Sequence, residues 1–374
     1  MYRIFFAERD TTLYERYPTQ NTGIDQILEL TKIASGSKYF GVFQSNTYNS
    51  RILLDFGKEI TTLSQSIVSN EIPPLGTGAS SASVYLNLRA ANANDLLHSY
   101  SIEAYPVSES WVNGNGNFSD SPIQTFGASW YYRDSEDLAT TWNTASQGNS
   151  LGKTELEGGG SWITSSEATQ TFENESPDIY MDVTNIVNGW ITSSITNNGF
   201  IIKRSDSDEQ SSEILGSLKF FGRESHTIFI PRLEVVWNNT TFTDTSSAEI
   251  ASDTFVPYFK NIKSEYRRSE IAKFRIGVRP EFPNKQFQTS SFFLTGERLP
   301  TSSFYSIIDS VTDEILIPFD TKGTQIDCDV NGSFMQLRMD TFMPERFYKI
   351  MLKIERDGGN DIQTYDNFYF KVVK

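Results

Sequence analysis

Apolar side chains in this chain recur every second residue rather than every third or fourth, and that spacing narrows the fold more than any other feature. It is plain in Ser83-Val-Tyr-Leu-Asn-Leu-Arg89, Ser101-Ile-Glu-Ala-Tyr-Pro-Val107 and Arg232-Leu-Glu-Val-Val-Trp237. Successive residues of an extended chain point to opposite faces, so each run reads as a strand with one face on a core. Asn-Gly pairs at 113–114, 115–116, 198–199 and 331–332 separate such runs. Both residue types tolerate the positive φ of a tight turn, so the strands are expected to follow one another through short turns. The expectation is an all-β protein. One segment departs from it: Asp182 to Trp190 sets Val183, Ile186, Val187 and Trp190 at helical spacing, with Asp182 or Thr184 placed to satisfy free amides at its start. One or two helical turns are expected there.

The chain of 374 residues is long enough for two or three domains with a large buried core. A natural linker follows Trp237, where the sequence turns polar and rich in Thr and Ser without a period. Beyond it the tryptophans and histidines are gone, yet alternating runs resume at Lys273–Arg279, Phe304–Ile308, Phe334–Met339, Phe347–Ile354 and Phe368–Val373. The expected organisation is one β-sandwich over 1–240, a linker over 241–254, and a smaller Ig-like β-sandwich over 255–374. About seven strands would suit that last architecture, although the Cys-Trp-Cys core of antibody domains is absent.

Net charge is −15 and unevenly spread: residues 1–240 hold 28 acidic and 15 basic side chains, residues 241–374 hold 19 and 17. An acidic surface repels phosphate, and the only basic cluster is the short Lys263-Ser-Glu-Tyr-Arg-Arg268, so no nucleic-acid partner is expected. No apolar run is long enough to span a bilayer, and the apolar patch near Met1 is too short for a signal peptide. A single cysteine, Cys328, rules out an intramolecular disulfide framework and reads as a small buried strand residue.

All six tryptophans fall between Trp111 and Trp237 in an ordered series of motifs. These are Trp111-Val-Asn-Gly-Asn-Gly, Gly127-Ala-Ser-Trp130-Tyr-Tyr-Arg133, Thr141-Trp142-Asn143, Gly158-Gly-Gly-Ser-Trp162, Asp182 to Trp190, Asn198-Gly-Phe-Ile-Ile-Lys203 and Pro231 to Trp237. Upstream stand Asp10-Thr-Thr-Leu-Tyr14, Asn21-Thr-Gly23 and Ser50-Arg-Ile-Leu-Leu-Asp-Phe56. This series resembles the DNRLRE-type β-sandwich family, a jelly-roll module related to carbohydrate-binding domains and found in surface and virion proteins. The resemblance spans about residues 1–240 and implies a jelly roll there, with a strand rather than a helix over Gly23–Thr31. The back half, through Lys273-Phe-Arg-Ile-Gly-Val-Arg-Pro-Glu-Phe-Pro, Leu299 to Ile308, Pro344 to Lys349 and Asn367 to Val373, resembles structural proteins of T4-like marine and cyanobacterial myoviruses. Together these imply a virion component assembled in the host cytoplasm, with other virion proteins as partners and a homo-oligomer, such as a trimer, as its form.

Candidate chemistry is sparse. His98 and His226 lie far apart and lack a second ligand at metal spacing or a serine-triad pattern. No nucleophile elbow, phosphate loop or dinucleotide fingerprint is present, and Gly158–Gly160 reads as a loop. No catalytic residue is assigned; with 47 acidic residues, the presence of carboxylate pairs is no positive evidence for glycoside hydrolysis. Aromatic rings stack on sugars, and Trp111, Trp130, Trp162, Trp190 and Trp237 read first as core. Tyr131, Tyr132, Arg133 and Trp142, beside charged or turn residues, are the glycan-binding candidates. Asp206-Ser-Asp-Glu209, and equally Asp134-Ser-Glu-Asp137, gather carboxylates in one stretch. Asp206, Asp208 and Glu209 are the weak calcium candidates, a solvated loop being the plainer reading. The expected function is a non-enzymatic virion part, with a carbohydrate-binding adhesion module as the alternative.

Overall fold

The computed structural model describes residues 1–39, 42–135, 140–143, 158–173, 175–243, 248–282, 297–356, 359 and 361–374, with backbone alone for 34–39 and 42–46. It is all-β, built from several sheets, one of them curled into a half barrel. Its contacts divide it into two units. The first comprises Phe5–Thr77 and Ser83–Glu234; the second comprises Met1–Ile4, Gly78–Ala82 and Val235–Lys374.

The curled sheet of the first unit runs Ala168–Phe172, Tyr100–Pro106, Phe200–Arg204, Val42–Asp55, Ile27–Tyr39, Gly216–Phe221, Ala90–Asn94, with Arg9–Tyr14 also paired to Val42–Asp55. Strand Val42–Asp55 organises it. Its front half pairs with Ile27–Tyr39, Asn49 standing opposite Lys32. Its back half lies between two partners, Ile52 opposite both Thr12 and Ile202. Ile52, Leu53 and Leu54 are consequently sealed from solvent. A second sheet contains Tyr2–Phe6, Arg232–Val236, Ser83–Leu88 and Ile179–Asp182.

Helix Thr184–Ile191 forms where helical spacing placed it, with Ile186, Val187 and Trp190 buried. The Asp182 carboxylate accepts the Thr184 N–H at 2.9 Å, satisfying an amide that the helix start leaves free. Helix Gly57–Val68, which packs near it, was not expected. It buries Ile60 and Leu63, which with Ile67 stand at the helical spacing i, i+3, i+7 among Thr, Ser and charged residues.

In the second unit one sheet runs Phe255–Phe259, Ile271–Pro280, Gly332–Arg338, Asp327–Asp329, and another runs Glu265–Arg267, Asp361–Val373, Arg346–Arg356, Ser303–Asp309, Ile315–Ile317. The alternating runs singled out by spacing are all strands. Rings of Phe274, Tyr348 and Phe342 gather around Phe370 at 5.7–5.8 Å, the separation of favourable edge and tilted pairs. Cys328 is a buried strand residue. The segment expected to link the units is tied into this one: Thr241 N–H donates to Asp327 at 2.9 Å, Thr243 N–H to the Cys328 carbonyl at 3.0 Å and Ile250 N–H to the Arg298 carbonyl at 3.1 Å. Among the described residues no helix is long and apolar enough to cross a membrane.

Candidate functional site

The glycan-binding residues anticipated from sequence do not form an exposed aromatic row. Trp142 is only 3% exposed and joins Leu13, Leu53, Trp111, Trp130, Trp162 and Ile201 in one apolar cluster. Its indole N–H donates to the Ser129 carbonyl at 2.9 Å, so the ring is buried without stranding a donor. Tyr131 is half-buried against the same cluster, and Tyr132 is half-buried with its ring edge-on to Tyr131. The Arg133 guanidinium donates to the Ser110 carbonyl at 2.9 Å and lies 3.7 Å from Glu109. Turn and charged neighbours in sequence signalled exposure for Trp142; its own hydrogen bond permits the opposite.

The calcium candidates are likewise redirected. Asp206, Asp208 and Glu209 lie in a short helix, Asp206–Gln210, started by the Ser205 hydroxyl, which accepts the Asp208 N–H. Three cations from the sheet hold it. Arg51 donates to both carboxylate oxygens of Glu209, at 3.0 and 2.6 Å, and to the Gly159 carbonyl at 2.6 Å. Its guanidinium sits between the rings of Trp130 and Trp162, 4.9 and 5.0 Å from their centres. Lys203 contacts Asp206 at 2.7 Å and Glu103 at 3.2 Å, and lies 4.0 Å from Glu209. Lys32 donates to the carbonyls of Asp208, Glu209 and Ser211, the free acceptors at the helix end. Both Glu209 oxygens and one of Asp206 already serve guanidinium and ammonium groups, and these charges repel a further cation. Among the described residues no group of three or more His, Cys, Asp or Glu side chains is arranged to hold a metal. His98 and His226 are both exposed. Part of Asp134-Ser-Glu-Asp137 lies outside the described residues.

Gly158, Gly159 and Gly160 are the loop expected, with φ of +130°, +83° and +93°. A Cβ on Gly159 would stand 2.5 Å from Arg51 Nη1 and 2.8 Å from the Trp130 ring. Glycine is required here because the backbone passes directly over the Arg51 and Trp130 pair.

An open recess of this unit lies elsewhere, at the end of strand Arg9–Tyr14. A cleft of about 230 Å³ is walled by Tyr14, Asp25, Glu29, Asn117 and Phe118, and a neighbouring one of about 120 Å³ by Tyr14, Tyr17, Glu29, Tyr48 and Phe118. Phe118, 44% exposed, has its ring centre 5.0 Å from Tyr14 and 5.5 Å from Tyr17, itself 38% exposed. Its backbone is fixed on both sides: the N–H donates to Asp25 Oδ1 at 2.9 Å and the carbonyl accepts from Gln20 at 2.9 Å. Glu29 is paired with Lys219 at 2.6 Å.

Burial pushes the Asp25 carboxyl up to about 6, the Phe118 N–H opposing and the Glu29 and Asp120 charges adding to the rise. Burial likewise holds the Tyr14 hydroxyl well above its usual range, with Glu29 and Asp25 contributing. The aromatic, amide and carboxylate groups assembled here are those that stack on sugars and accept hydroxyl protons. Sequence reasoning missed this recess. The available signal was Phe118 itself, a lone aromatic between Asn117 and Ser119 with Asp120 following, a turn context in which a ring has no strand face to bury it. Comparison of the sequence with family models and with curated proteins gave no match.

Proposed function

We propose that this chain is a non-enzymatic structural component of a tailed bacteriophage virion, a decoration, neck or tail-fibre adaptor. In this reading a jelly-roll sandwich is displayed by an Ig-like sandwich that docks on another virion protein or on further copies of the chain. The observation that carries it is the distribution of apolar surface in the second unit. Phe347, Ile362 and Tyr369 are all exposed on the paired strands Arg346–Arg356 and Asp361–Val373. Register places Phe347 opposite Lys371 and Tyr369 opposite Lys349, so rings and lysines share one face. Large apolar groups rimmed by polar ones mark protein interfaces. The motif resemblances over both halves support the virion setting, the paired sheets of each unit suit the two sandwich types, and the acidic front suits no nucleic-acid partner. Imaging purified virions at side-chain resolution tests this. Density for the chain with the Phe347 and Tyr369 face covered is expected, and absence of the chain from the particle refutes it.

A second reading, a host-glycan adhesion module, is favoured by the Tyr14, Tyr17 and Phe118 recess. It replaces the Tyr131 to Trp142 region as the place where a sugar would bind. Glycan-array binding by the full chain that is lost in Phe118→Ala, with unchanged thermal unfolding, would support it.

A further inference from the structure

Resting on the glycan reading, we infer that the recess formed by Tyr14, Tyr17, Asp25, Glu29 and Phe118 selects a sugar unit carrying a free protonated amine, a deacetylated hexosamine of a surface polysaccharide. Two carboxylates stand in its wall and a third acts on it from outside. Asp25 and Glu29 line the cleft, and Asp120 is close enough to act on Asp25. Among the described residues the ammonium held there is Lys219, committed to Glu29 at 2.6 Å. Arg16 stands in the neighbouring recess over the Tyr17 ring, 5.4 Å from its centre.

Asp25 is 7% exposed, and one of its oxygens accepts the Phe118 N–H. The other oxygen has no hydrogen-bond partner among the described residues. That oxygen is not sealed from solvent, so it is an acceptor that a ligand cation entering the cleft can reach, beside a carboxyl whose charged form burial disfavours. Phe118 offers an exposed face on which the apolar side of a pyranose ring stacks and to which an adjacent ammonium is attracted, with the Tyr17 ring, which carries Arg16, edge-on beside it. A neutral sugar satisfies the rings but leaves the carboxylates repelling one another. A uronic or sulfated sugar adds to that repulsion. An amine-bearing unit answers both features with one ligand.

The test is calorimetric titration of the full chain at pH 7 with three tetrasaccharides of one linkage: the glucosamine tetramer, its N-acetylated form and the glucose tetramer. We expect the glucosamine tetramer to bind at least tenfold more tightly than the other two. Asp25→Asn, which keeps an acceptor for the Phe118 N–H, should abolish that preference while the weaker binding persists. Phe118→Ala, at an exposed position, should weaken all three. Equal affinity for the three ligands would overturn the amine selectivity and leave the glycan reading standing. A preference that survives Asp25→Asn would be attraction to overall negative charge and would also overturn it. Absence of binding by all three would remove both.

Discussion

Replacing Arg51 by Met should be among the most damaging single changes in the first unit, and the size of the effect follows from its surroundings. Arg51 and Glu209 are each 1% exposed, and the guanidinium meets both carboxylate oxygens, one backbone carbonyl and two tryptophan faces. Without it the cations that still act on Glu209 among the described residues are Lys203, at 4.0 Å, and the more distant Arg204. A buried charge deprived of its partner costs about 3–5 kcal/mol. In a unit of this size that is a fall in melting temperature of roughly 6–20 °C. Glu209→Leu alone should cost a similar amount, by leaving the guanidinium between two rings with a single carbonyl. The double variant Arg51→Met with Glu209→Leu should recover most of the loss, because Lys203 retains Glu103 and Asp206. Urea unfolding followed by tryptophan fluorescence is the assay, since five of the six tryptophans lie in this unit. Single variants losing under about 1 kcal/mol, or a double variant losing the sum of the two, would refute the account.

Asp10 is buried and its carboxyl is pushed up to about 7, with burial the main cause and the Arg223 N–H opposing it. A folded-state value raised above the unfolded one favours folding at low pH and is lost as pH climbs from about 4 to 7, so Asp10→Asn should flatten the stability profile and raise stability at pH 8 by up to about 4 kcal/mol; melting curves at pH 5 and 8 decide, and identical pH slopes for both proteins would contradict it. Trp142→Ala should lose about 3–5 kcal/mol of stability, as for any large core ring, and at a temperature where it stays folded should bind glycans like the parent chain. Gly159→Ala combines a positive φ with contact against Arg51 and Trp130, and should lose at least about 2 kcal/mol in the same unfolding assay.

The strands were legible because most present one face to a core and one outward, which preserves the period of two; Arg346–Arg356 alternates buried and half-buried residues through Tyr348, Ile350, Leu352 and Ile354. Ser303–Asp309 is buried on both faces, and two of its polar residues, Ser306 and Asp309, are accommodated by hydrogen bonds and an Arg346 ion pair that no periodicity reveals. The short helix at 206–210 had a readable start in Ser205 and Asp208. What holds it was unreadable, since Arg51 stands 158 residues from Glu209 and Lys32 comes from a different strand again. The recess at Phe118 is the same case in reverse. Tyr14, Asp25 and Glu29 are nearby in sequence, but the loop that completes the site arrives some ninety residues later, tied in by hydrogen bonds such as Phe118 to Asp25, Gln20 to Phe118 and Ile24 to Gly116 that no local pattern announces.

This interior use of cations also bears on what the outside of the first unit can recognise. Among the described residues of the first unit, Lys32, Arg51, Lys203, Arg204 and Arg232 are buried, as are the carboxylates Asp10, Glu15, Asp25, Asp55, Glu209 and Glu234. Nearly equal numbers are thus withdrawn where residues 1–240 hold 28 acids and 15 bases, so the remainder is more one-sided than the composition suggests. An approaching polyanion meets that excess before it meets any cation, whereas a polymer bearing amines is drawn toward the surface as a whole. Selection must then occur at a place where attraction alone is insufficient, and the recess supplies one: a half-satisfied carboxylate set between rings rewards an ammonium joined to a flat apolar ring, and offers little to a bare inorganic cation.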